Sequence, residues 1–487
     1  MSNKQVTMPK ETKLFINGEF QNSTLGKTYE ITNPTTEEVI CQVPLASSED
    51  VDRAVQAAEK AFKGAWKDAG YRGRHDLLIK LAQVWERDID SLNQLECFNN
   101  GSCVTFMRAT IEGLANEIKY HAGWADKLDG RQIPLDGNYH AYSQREPIGV
   151  CGLIVAWNFP LWCIIVKLAP ALAMGNTVVL KPADATPLTA LKLAELFVEV
   201  GFPPGVFNVV TGDGPTTGQA LSVHPRIRKI AFTGSVKIGR EILRASADSN
   251  LKQVQLELGG KSPIVIFPDV DIKEAASIAG NACLGNSGQS CDAASRTFVH
   301  EKIYDEFVSE MAAFAKNLVV GNPLDEKTQI GPLINKSQFE RVNHYIEVGK
   351  KEGARVAYDG NEREKPKVGY FTSPVIFADV TDEMTIAKEE IFGPVMSIIK
   401  YSDVDEVIER CNNTEYGLAA GVVSNNINNI MKITKNVEAG TIWGNTYASI
   451  FPQCEFGGFK QSGFGREGGV NALHEWTQLK SVIISLK

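Results

Sequence analysis

The order of hydrophobic and polar positions predicts amphipathic helices near the N-terminus and alternating strands and helices after them. A strand and turn are predicted over 13–20, where Asn17-Gly18 is a hairpin signal. Apolar residues at helical spacing predict a helix over 48–63, which begins at the capping stretch Ser47-Ser48-Glu49-Asp50. The same spacing predicts further helices over 72–85 and 105–122.

From residue 149 onward, short runs of β-type residues alternate with helical segments. The first series has predicted strands at 149–157, 177–182, 206–212, 229–234 and 254–260, and helices at 161–174, 187–200, 218–223 and 238–247. A second series begins with a strand at 263–267 and continues, through a helix at 303–318, to about residue 456. This alternation is typical of an α/β protein with parallel sheets, in which ligands bind at the carboxyl ends of strands.

Between residues 129 and 146 the pattern changes to β, with a turn at Asp136-Gly137-Asn138. Another β run, at 480–485, ends the chain. A hairpin that interrupts α/β regions can be an arm that pairs with a partner subunit, or a simple edge ribbon. The pattern by itself leaves both interpretations open.

The chain has 487 residues, enough for two or three domains with hydrophobic cores. Its net charge of -8 disfavours nucleic acids and anionic membranes as partners. The nine cysteines are scattered without a C-x-x-C pair, and the seven histidines form no H-E-x-x-H. We therefore expect no metal site, no disulfide framework and a reducing compartment.

The N-terminus has neither the apolar core of a signal peptide nor the arginines of a transit peptide, so the sequence predicts a cytoplasmic protein. The uncharged run 147–166 has nearly the length of a membrane span. Asn158-Phe159-Pro160 interrupts it, and β-type residues give way to helical ones there. A strand, a turn and a buried helix are therefore expected.

Four stretches carry candidate chemistry. Cys291 lies between a helical run and an extended run, where a thiol can reach a cleft as a nucleophile, although most cysteines are inert and buried. Glu257, in an apolar strand beside Gly259-Gly260, is either a general base or half of a buried salt bridge to a lysine. Phe232-Thr233-Gly234-Ser235 is either a pyrophosphate-binding turn or an ordinary βα turn. Lys181 and Asp184 could hold a ribose or lie in a solvated loop.

Taken together, these stretches resemble the aldehyde dehydrogenase superfamily over essentially the whole chain, nearest the animal class 1/2 branch. The motifs that carry the resemblance are Trp157-Asn158-Phe159-Pro160, Lys181-Pro182-Ala183-Asp184, Phe232-Thr233-Gly234-Ser235, Leu256-Glu257-Leu258-Gly259-Gly260-Lys261, Gly288-Gln289-Ser290-Cys291, Glu389-Glu390-Ile391-Phe392-Gly393-Pro394 and Phe456-Gly457-Gly458-Phe459-Lys460-Gln461-Ser462-Gly463.

The resemblance implies NAD-dependent oxidation of a small-molecule aldehyde to an acid. Cys291 would be the nucleophile, Asn158 and the Cys291 N–H would hold the oxyanion, and Glu257 would activate water. The implied cofactor-binding residues are Ile154, Trp157, Lys181, Asp184, Gly214, Gly218, Gly234, Ser235, Glu390 and Phe392. A carboxylate at Asp184 favours NAD over NADP, because it repels a 2′-phosphate.

The resemblance also implies a domain organisation. Residues 1–128 and 147–258 would form a Rossmann-like NAD-binding domain, and residues 259–460 a second, catalytic α/β domain. Residues 129–146 and 474–487 would form a small β arm for assembly into a homo-oligomer, a dimer or a tetramer.

Several residues near Cys291 depart from the family's usual pattern. Asp292 stands where a neutral residue is usual, and its carboxylate should raise the pKa of the thiol. The other departures are Ala156, Trp162, Val166, Gly285, Glu455 and the loop 99–103. They leave two hypotheses: a working enzyme with a reshaped tunnel, or a descendant kept for a structural role, like the Ω-crystallins of mollusc lenses.

Overall fold

The computed structural model describes residues 6–487; residues 1–5, part of the stretch without signal-peptide features, lie outside them. The strands are β1 (Leu14–Ile16), β2 (Glu19–Gln21), β3 (Thr28–Thr32), β4 (Val39–Pro44), β5 (Arg131–Ile133), β6 (Tyr139–Pro147), β7 (Val150–Ile154), β8 (Thr177–Lys181), β9 (Phe207–Val209), β10 (Lys229–Thr233), β11 (Gln253–Glu257), β12 (Pro263–Ile266), β13 (Arg296–His300), β14 (Arg355–Asp359), β15 (Val375–Ala378), β16 (Val395–Tyr401), β17 (Ala419–Val423), β18 (Thr441–Gly444), β19 (Gly463–Phe464) and β20 (Thr477–Ser485).

The α-helices are α1 (Ser48–Lys63), α2 (Ala65–Asp68), α3 (Gly70–Asn100), α4 (Val104–Ala122), α5 (Pro160–Ala173), α6 (Leu188–Val200), α7 (Gln219–Val223), α8 (Val236–Ala247), α9 (Ile272–Leu284), α10 (Tyr304–Asn317), α11 (Lys336–Lys351), α12 (Thr385–Lys388), α13 (Val404–Asn412), α14 (Ile427–Asn436) and α15 (Gly469–Glu475). A π-helical turn spans Gly214–Gly218, and a 3-10 turn spans Gly285–Gly288.

Helix α1 has the predicted bounds because its first turn is capped by its own sequence. The Ser47 hydroxyl accepts the Asp50 N–H at 3.0 Å, and the Asp50 carboxylate accepts the Ser47 N–H at 2.9 Å. This reciprocal capping box satisfies two N–H groups that the helix leaves free.

Helix α3 is much longer than the predicted segment 72–85, so that prediction was wrong at its C-terminal end. Its last turn carries the buried polar side chains of Glu96, Asn99 and Asn100, which interrupt the amphipathic pattern. The helix ends at Gly101, whose φ of 83° is the left-handed conformation that glycine adopts readily.

Within residues 6–487, the larger sheet has eight strands in the order β19-β11-β10-β7-β8-β9-β1-β2. Strands β7 to β11 are parallel, as the first α/β series predicts. The chain runs from β7 through β8 and β9 on one side, and then returns to β10 and β11 on the other. This reversal leaves a crevice at the carboxyl ends of β7 and β10, the usual place for a ligand in such sheets.

The second sheet has seven strands in the described part of the chain, in the order β14-β15-β16-β13-β12-β17-β18. Its strands are parallel except for the antiparallel pair β14 and β15. The two sheets together confirm the predicted α/β class. The division into an NAD-binding domain, a catalytic domain and an arm stays a prediction.

The hairpin 129–146 and the C-terminal β run form one antiparallel sheet, in the order β20-β6-β5. Strand β20 pairs with β6 along its whole length, from Thr477 opposite Pro147 to Ser485 opposite Tyr139. The uncharged run 147–166 contains β7, a turn and the start of α5, as predicted. None of the helices in residues 6–487 is both long and apolar enough to cross a membrane.

Candidate active site

The carboxyl end of β11 meets the amino ends of β12 and β13 at a pair of glycines. Glu257 ends β11, and Gly259 and Gly260 lead into β12. A Cβ on Gly260 would lie 2.7 Å from the carbonyl oxygen of Cys291, and one on Gly259 would lie 2.5 Å from the Glu390 carboxylate. Glycine is therefore required for this close approach, which brings Glu257, Glu390 and Cys291 to one place.

Cys291 is half-buried in an aromatic pocket. It packs against a buried cluster that Trp162 and Tyr447 also contact, formed by Leu418, Ala419, Trp443 and Phe456. The Trp162 and Phe456 rings meet edge-on with centroids 5.6 Å apart. Burial, followed by the charge of Asp292, raises the pKa of the Cys291 thiol well above its usual value. The structure therefore agrees with the expected effect of Asp292 on the nucleophile.

The loop before Cys291 is built from three successive residues in the left-handed region. Their φ angles are 51° at Asn286, 55° at Ser287 and 69° at Gly288. A Cβ on Gly288 would overlap the carbonyl oxygen of Gly393. The Ser287 hydroxyl donates to the Gly331 carbonyl at 3.0 Å, and the Gln289 Oε1 accepts the Ile334 N–H at 3.0 Å. Hydrogen bonds and close packing thus hold a strained loop in one conformation.

Asn158 lies against this loop and is 5% exposed. Its side-chain Nδ2 donates to the Gln289 carbonyl at 3.0 Å. Its own carbonyl accepts the Nδ2 groups of Asn100 and Asn286, each at 3.2 Å. An amide NH₂ has two hydrogens, so the bond to Gln289 fixes the side chain and leaves one donor for a ligand.

Glu257 is 3% exposed, and neither carboxylate oxygen has a hydrogen-bond partner in residues 6–487. Lys167 makes its ion pair with Glu467 instead, and its Nζ donates to the Thr233 hydroxyl at 2.6 Å. The alternative of a salt bridge between Glu257 and a lysine is therefore wrong. Burial, and then the nearby Glu467 carboxylate, raises the pKa of Glu257 well above its usual value.

Asp292 is buried beside Cys291, with its carboxylate hydrogen-bonded by the Ser290 hydroxyl. Burial raises the pKa of Asp292, and the Ser290 hydroxyl opposes the shift. The Tyr447 hydroxyl donates to the Asp292 carbonyl at 2.7 Å. Ser290 and Tyr447 therefore hold Asp292 in place.

The predicted cofactor residues follow the carboxyl ends of neighbouring strands. Ile154 pairs with Lys181 on β8 and with Phe232 on β10. The Lys181 Nζ donates to the Pro182 carbonyl at 2.9 Å and to no other group in the described residues. Burial lowers the pKa of Lys181. A buried amine with two spare donors is suited to the hydroxyl oxygens of a ribose.

Two glycines of the π-helical turn leave room for a ligand on this side of the crevice. The Lys181 stem runs past Gly218, while a Cβ on Gly214 would meet no atom within 4 Å. Asp184 is exposed in the loop between β8 and α6.

The turn after β10 opens a helix. The Gly234 N–H donates to the Glu257 carbonyl at 3.0 Å, and Ser235 is the N-cap of α8, accepting the Ile238 N–H at 3.4 Å. The free N–H groups of that first turn can bind a pyrophosphate.

The second sheet contributes Glu390 and Phe392 to the same crevice. The Glu390 Oε1 accepts the Gly260 N–H at 3.0 Å, and burial raises the pKa of Glu390. The Phe392 and Trp157 rings meet edge-on at 5.3 Å. The crevice thus collects polar groups for two riboses, a helix N-terminus and a pair of rings, which fits a dinucleotide.

The departures from the family pattern have different surroundings. A Cβ on Gly285 would lie 2.9 Å from Phe106, so the Phe106 ring occupies space at this position, and it also packs near Phe159 at 6.2 Å. Val166 is buried in α5. The Glu455 carboxylate accepts the Asn471 Nδ2 at 2.9 Å.

Several residues that support the site from a distance were not predicted from the sequence. Lys167 and Glu467 were not singled out, although a charge inside the apolar stretch of α5 was a visible signal. Asn100 and Ser102 lie in the unusual loop 99–103, and the Ser102 hydroxyl donates to the Asn286 Oδ1 at 2.6 Å. The unusual composition of that loop was the only signal of its role.

The chain belongs to the aldehyde dehydrogenase family, whose model matches residues 20–482. It is 50% identical over 482 residues to human aldehyde dehydrogenase 1A1, covering 98% of this chain and 95% of that one. It is 49% identical over 484 residues to human retinaldehyde dehydrogenase 3, covering 98% and 93%. These findings confirm the resemblance.

Solved structures share the fold along the whole chain. The NAD+ complex of an aldehyde dehydrogenase from Bacillus cereus has a TM-score of 0.96 at 46% identity, covering 99% of this chain and 98% of that one. The P. syringae indole-3-acetaldehyde dehydrogenase AldA in complex with NAD+ has a TM-score of 0.95 at 36% identity, covering 99% and 98%.

Proposed function

We propose that this protein oxidises an aldehyde to a carboxylic acid with NAD, using Cys291 as the nucleophile. The observation that carries the proposal is the meeting of three groups at the junction between β11 of the larger sheet and β12 of the second sheet. They are a half-buried thiol, the oriented amide of Asn158 and the carboxylate of Glu257, which is unpaired within residues 6–487. A nucleophile, an oxyanion donor and a base are the parts that acyl transfer needs.

In the first step, the Cys291 thiolate attacks the carbonyl carbon and a C–S bond forms. The carbonyl electron pair moves to the oxygen, which becomes an oxyanion. The free hydrogen of the Asn158 amide and the Cys291 N–H would donate to it. One such donor contributes about 3 kcal/mol to stabilising the transition state.

When bound, NAD supplies the acceptor for the hydride that leaves the former aldehyde carbon, and an acyl thioester remains on Cys291. Glu257 then takes a proton from water. The resulting hydroxide attacks the thioester carbon, the C–S bond breaks, and the acid and the thiolate are released. The raised pKa of Glu257 makes it a stronger base than an ordinary carboxylate once it is ionised.

For the cofactor, Lys181 and Asp184 would hold the adenosine ribose, and the first turn of α8 with Gly214 and Gly218 would hold the pyrophosphate. Glu390 would bind the nicotinamide ribose, with Phe392 near the ring. The spare donors of Lys181 and the open space at Gly214 support this assignment. Asp184 favours NAD over NADP, because its carboxylate would repel a 2′-phosphate.

We also propose that the three-stranded sheet of β5, β6 and β20 assembles the protein into a homo-oligomer. Apolar side chains are exposed on it, among them Leu479 at 52% and Ile483 at 66%. A partner subunit that covers them would remove this apolar surface from water. We further propose a cytoplasmic location, which agrees with the nine free cysteines.

The raised pKa of Cys291 favours a second candidate, a structural protein that has lost turnover, as in the Ω-crystallins. The two are separated by incubating the protein with NAD and short-chain, aromatic and retinoid-like aldehydes while NADH is followed by absorbance. NADH formation that is lost in Cys291→Ala supports the enzyme. No NADH with any of these aldehydes would contradict it and favour the structural role.

A further inference from the structure

The last turn of α3 carries three polar side chains that face other elements. Glu96, Asn99 and Asn100 are at most 2% exposed, although polar side chains of this kind are usually solvated. Each bonds to a loop that follows a strand of the larger sheet. This turn is not part of the catalytic machinery described above.

Glu96 holds the start of α5. Its Oε1 accepts the Leu161 N–H at 3.0 Å, one of the N–H groups that a helix leaves free in its first turn. Its Oε2 has no hydrogen-bond partner in the described residues. Burial raises the pKa of Glu96 to about 7. Burying the Glu96 carboxyl group with a single hydrogen bond lowers the stability of the fold.

Asn100, one helical turn after Glu96, holds the other end of the same segment. Its Nδ2 donates to the Asn158 carbonyl at 3.2 Å. The backbone from Asn158 to Leu161 is therefore bonded at both ends by one turn of α3. The Asn158 side-chain amide extends from this segment and donates to the Gln289 carbonyl. The direction of the amide therefore depends on the position of the segment.

Asn99 holds the loop after β8. Its Nδ2 donates to the Ala185 carbonyl at 3.0 Å, and its Oδ1 accepts the Leu188 N–H at 3.2 Å. Asp184 lies in this loop, immediately before Ala185. A single helical turn thus bonds the loop of the oxyanion donor and the loop of the ribose-binding carboxylate.

We propose that Glu96 and Asn100 are positioning residues that set the direction of the Asn158 amide, and that Asn99 positions the Asp184 loop for the cofactor. This inference rests on the proposed function. Misplacing a catalytic group by about 1 Å can cost roughly 100-fold in rate. The turn would therefore affect catalysis without touching substrate or cofactor.

The test compares variants of the full-length protein. Glu96→Ala should lower kcat between about 10-fold and about 100-fold. The KM for the aldehyde should change by less than about 2-fold, since Asn158 acts on the oxyanion and not on the bound aldehyde. The Kd for NAD should also change by less than about 2-fold: Trp157 adjoins the segment, but Lys181, Asp184 and the first turn of α8 lie on other elements. Glu96→Gln keeps an acceptor for the Leu161 N–H and should recover to within about 3-fold of the wild-type kcat. Asn100→Ala removes the hydrogen bond at the other end of the segment and should lower kcat as Glu96→Ala does.

Asn99→Ala should instead weaken NAD binding and leave kcat nearly unchanged. Its Kd for NAD, measured by calorimetric titration, should rise about 3-fold or more, because two hydrogen bonds to the Asp184 loop are lost. The matched control is Cys97→Ala, in the same turn and equally buried. Among the described residues, its thiol donates only to Asn93 within α3. It should leave kcat and the Kd for NAD within about 2-fold of wild type.

An unchanged kcat in both Glu96→Ala and Asn100→Ala would overturn the inference, as would Glu96→Gln performing no better than Glu96→Ala. If the wild type makes no NADH, the proposed function is wrong, but the positioning role can still be tested by hydrogen exchange. Peptides that cover 157–165 should exchange faster in Glu96→Ala than in Cys97→Ala. Equal exchange would overturn the positioning role.

Discussion

The charge of Asp292 is expected to limit the reactivity of Cys291. Replacing Asp292 by Asn keeps an acceptor for the Ser290 hydroxyl and removes the charge that raises the thiol pKa. The thiolate fraction at pH 7 should then increase. We expect iodoacetamide to alkylate Cys291 about 3-fold to 10-fold faster in Asp292→Asn, because one pKa unit changes the thiolate fraction about ten-fold.

The measurement is peptide mass spectrometry over time, and the exposed thiol of Cys454 is an internal control in the same sample. Its rate should not change, because residue 454 is not part of the pocket around Cys291. An unchanged ratio of the two rates would show that Asp292 does not control the nucleophile.

Glu257 is expected to reduce stability as the pH rises. Its folded-state pKa is raised, so above the unfolded-state pKa the folded chain holds a proton that the unfolded chain has lost. Stability therefore falls with increasing pH until the folded-state pKa is passed. Glu257→Gln cannot ionise, and should be more stable by about 1–3 kcal/mol at pH 8, with a smaller gain at pH 5.5. Urea unfolding at the two pH values measures this difference.

The same variant should lose thioester hydrolysis, since a general base contributes about 100-fold to 10,000-fold to rate. Intact-mass analysis after addition of NAD and aldehyde should then show the acyl group on the protein. A stable variant with wild-type turnover would contradict the role of base.

At the scale of the element, the loop between α9 and β13 depends on Gly288. Gly288→Ala would put a Cβ into the Gly393 carbonyl oxygen, in addition to the cost of a φ of 69°. Gly353 is a matched control, because its φ is 90° and a Cβ there would meet no atom within 4 Å. We expect a loss in the free energy of unfolding of about 1–2 kcal/mol for Gly353→Ala and of more than about 3 kcal/mol for Gly288→Ala. Equal losses in urea unfolding would contradict the close packing.

Elements whose signals are local were predicted from the sequence, and those that depend on distant partners were not. The capping box of α1 lies within four successive residues, so the helix start was readable. The end of α3 was missed because Glu96, Asn99 and Asn100 find their partners 65, 89 and 58 positions away. Buried polar side chains look like solvent-facing ones until their partners are known.

At the scale of the whole molecule, the sequence patterns predicted the α/β class. They did not predict that the C-terminal part pairs with the larger sheet. Strand β19 pairs with β11, and Glu467 reaches Lys167 across 300 positions of sequence. Two adjacent residues of β19 carry no periodicity that a pattern could detect. Cys291, Glu257 and Asn158 could still be proposed as nucleophile, base and oxyanion donor, because each lies in a contiguous motif.

The sheet of β5, β6 and β20 argues for an assembly at the scale of the whole molecule. Strand β20 lies at its edge, and Leu479 and Ile483 are on the same face of the strand because side chains alternate. A long, apolar edge strand invites pairing with another chain. We expect the wild type to sediment as an oligomer and the double variant Leu479→Asp with Ile483→Asp to sediment as a 53.3 kDa monomer. Leu251→Asp makes one such substitution at a residue that is 80% exposed outside the arm, and should leave the oligomer intact. A monomeric wild type, or an oligomer that survives both arm substitutions, would show that this sheet does not hold subunits together.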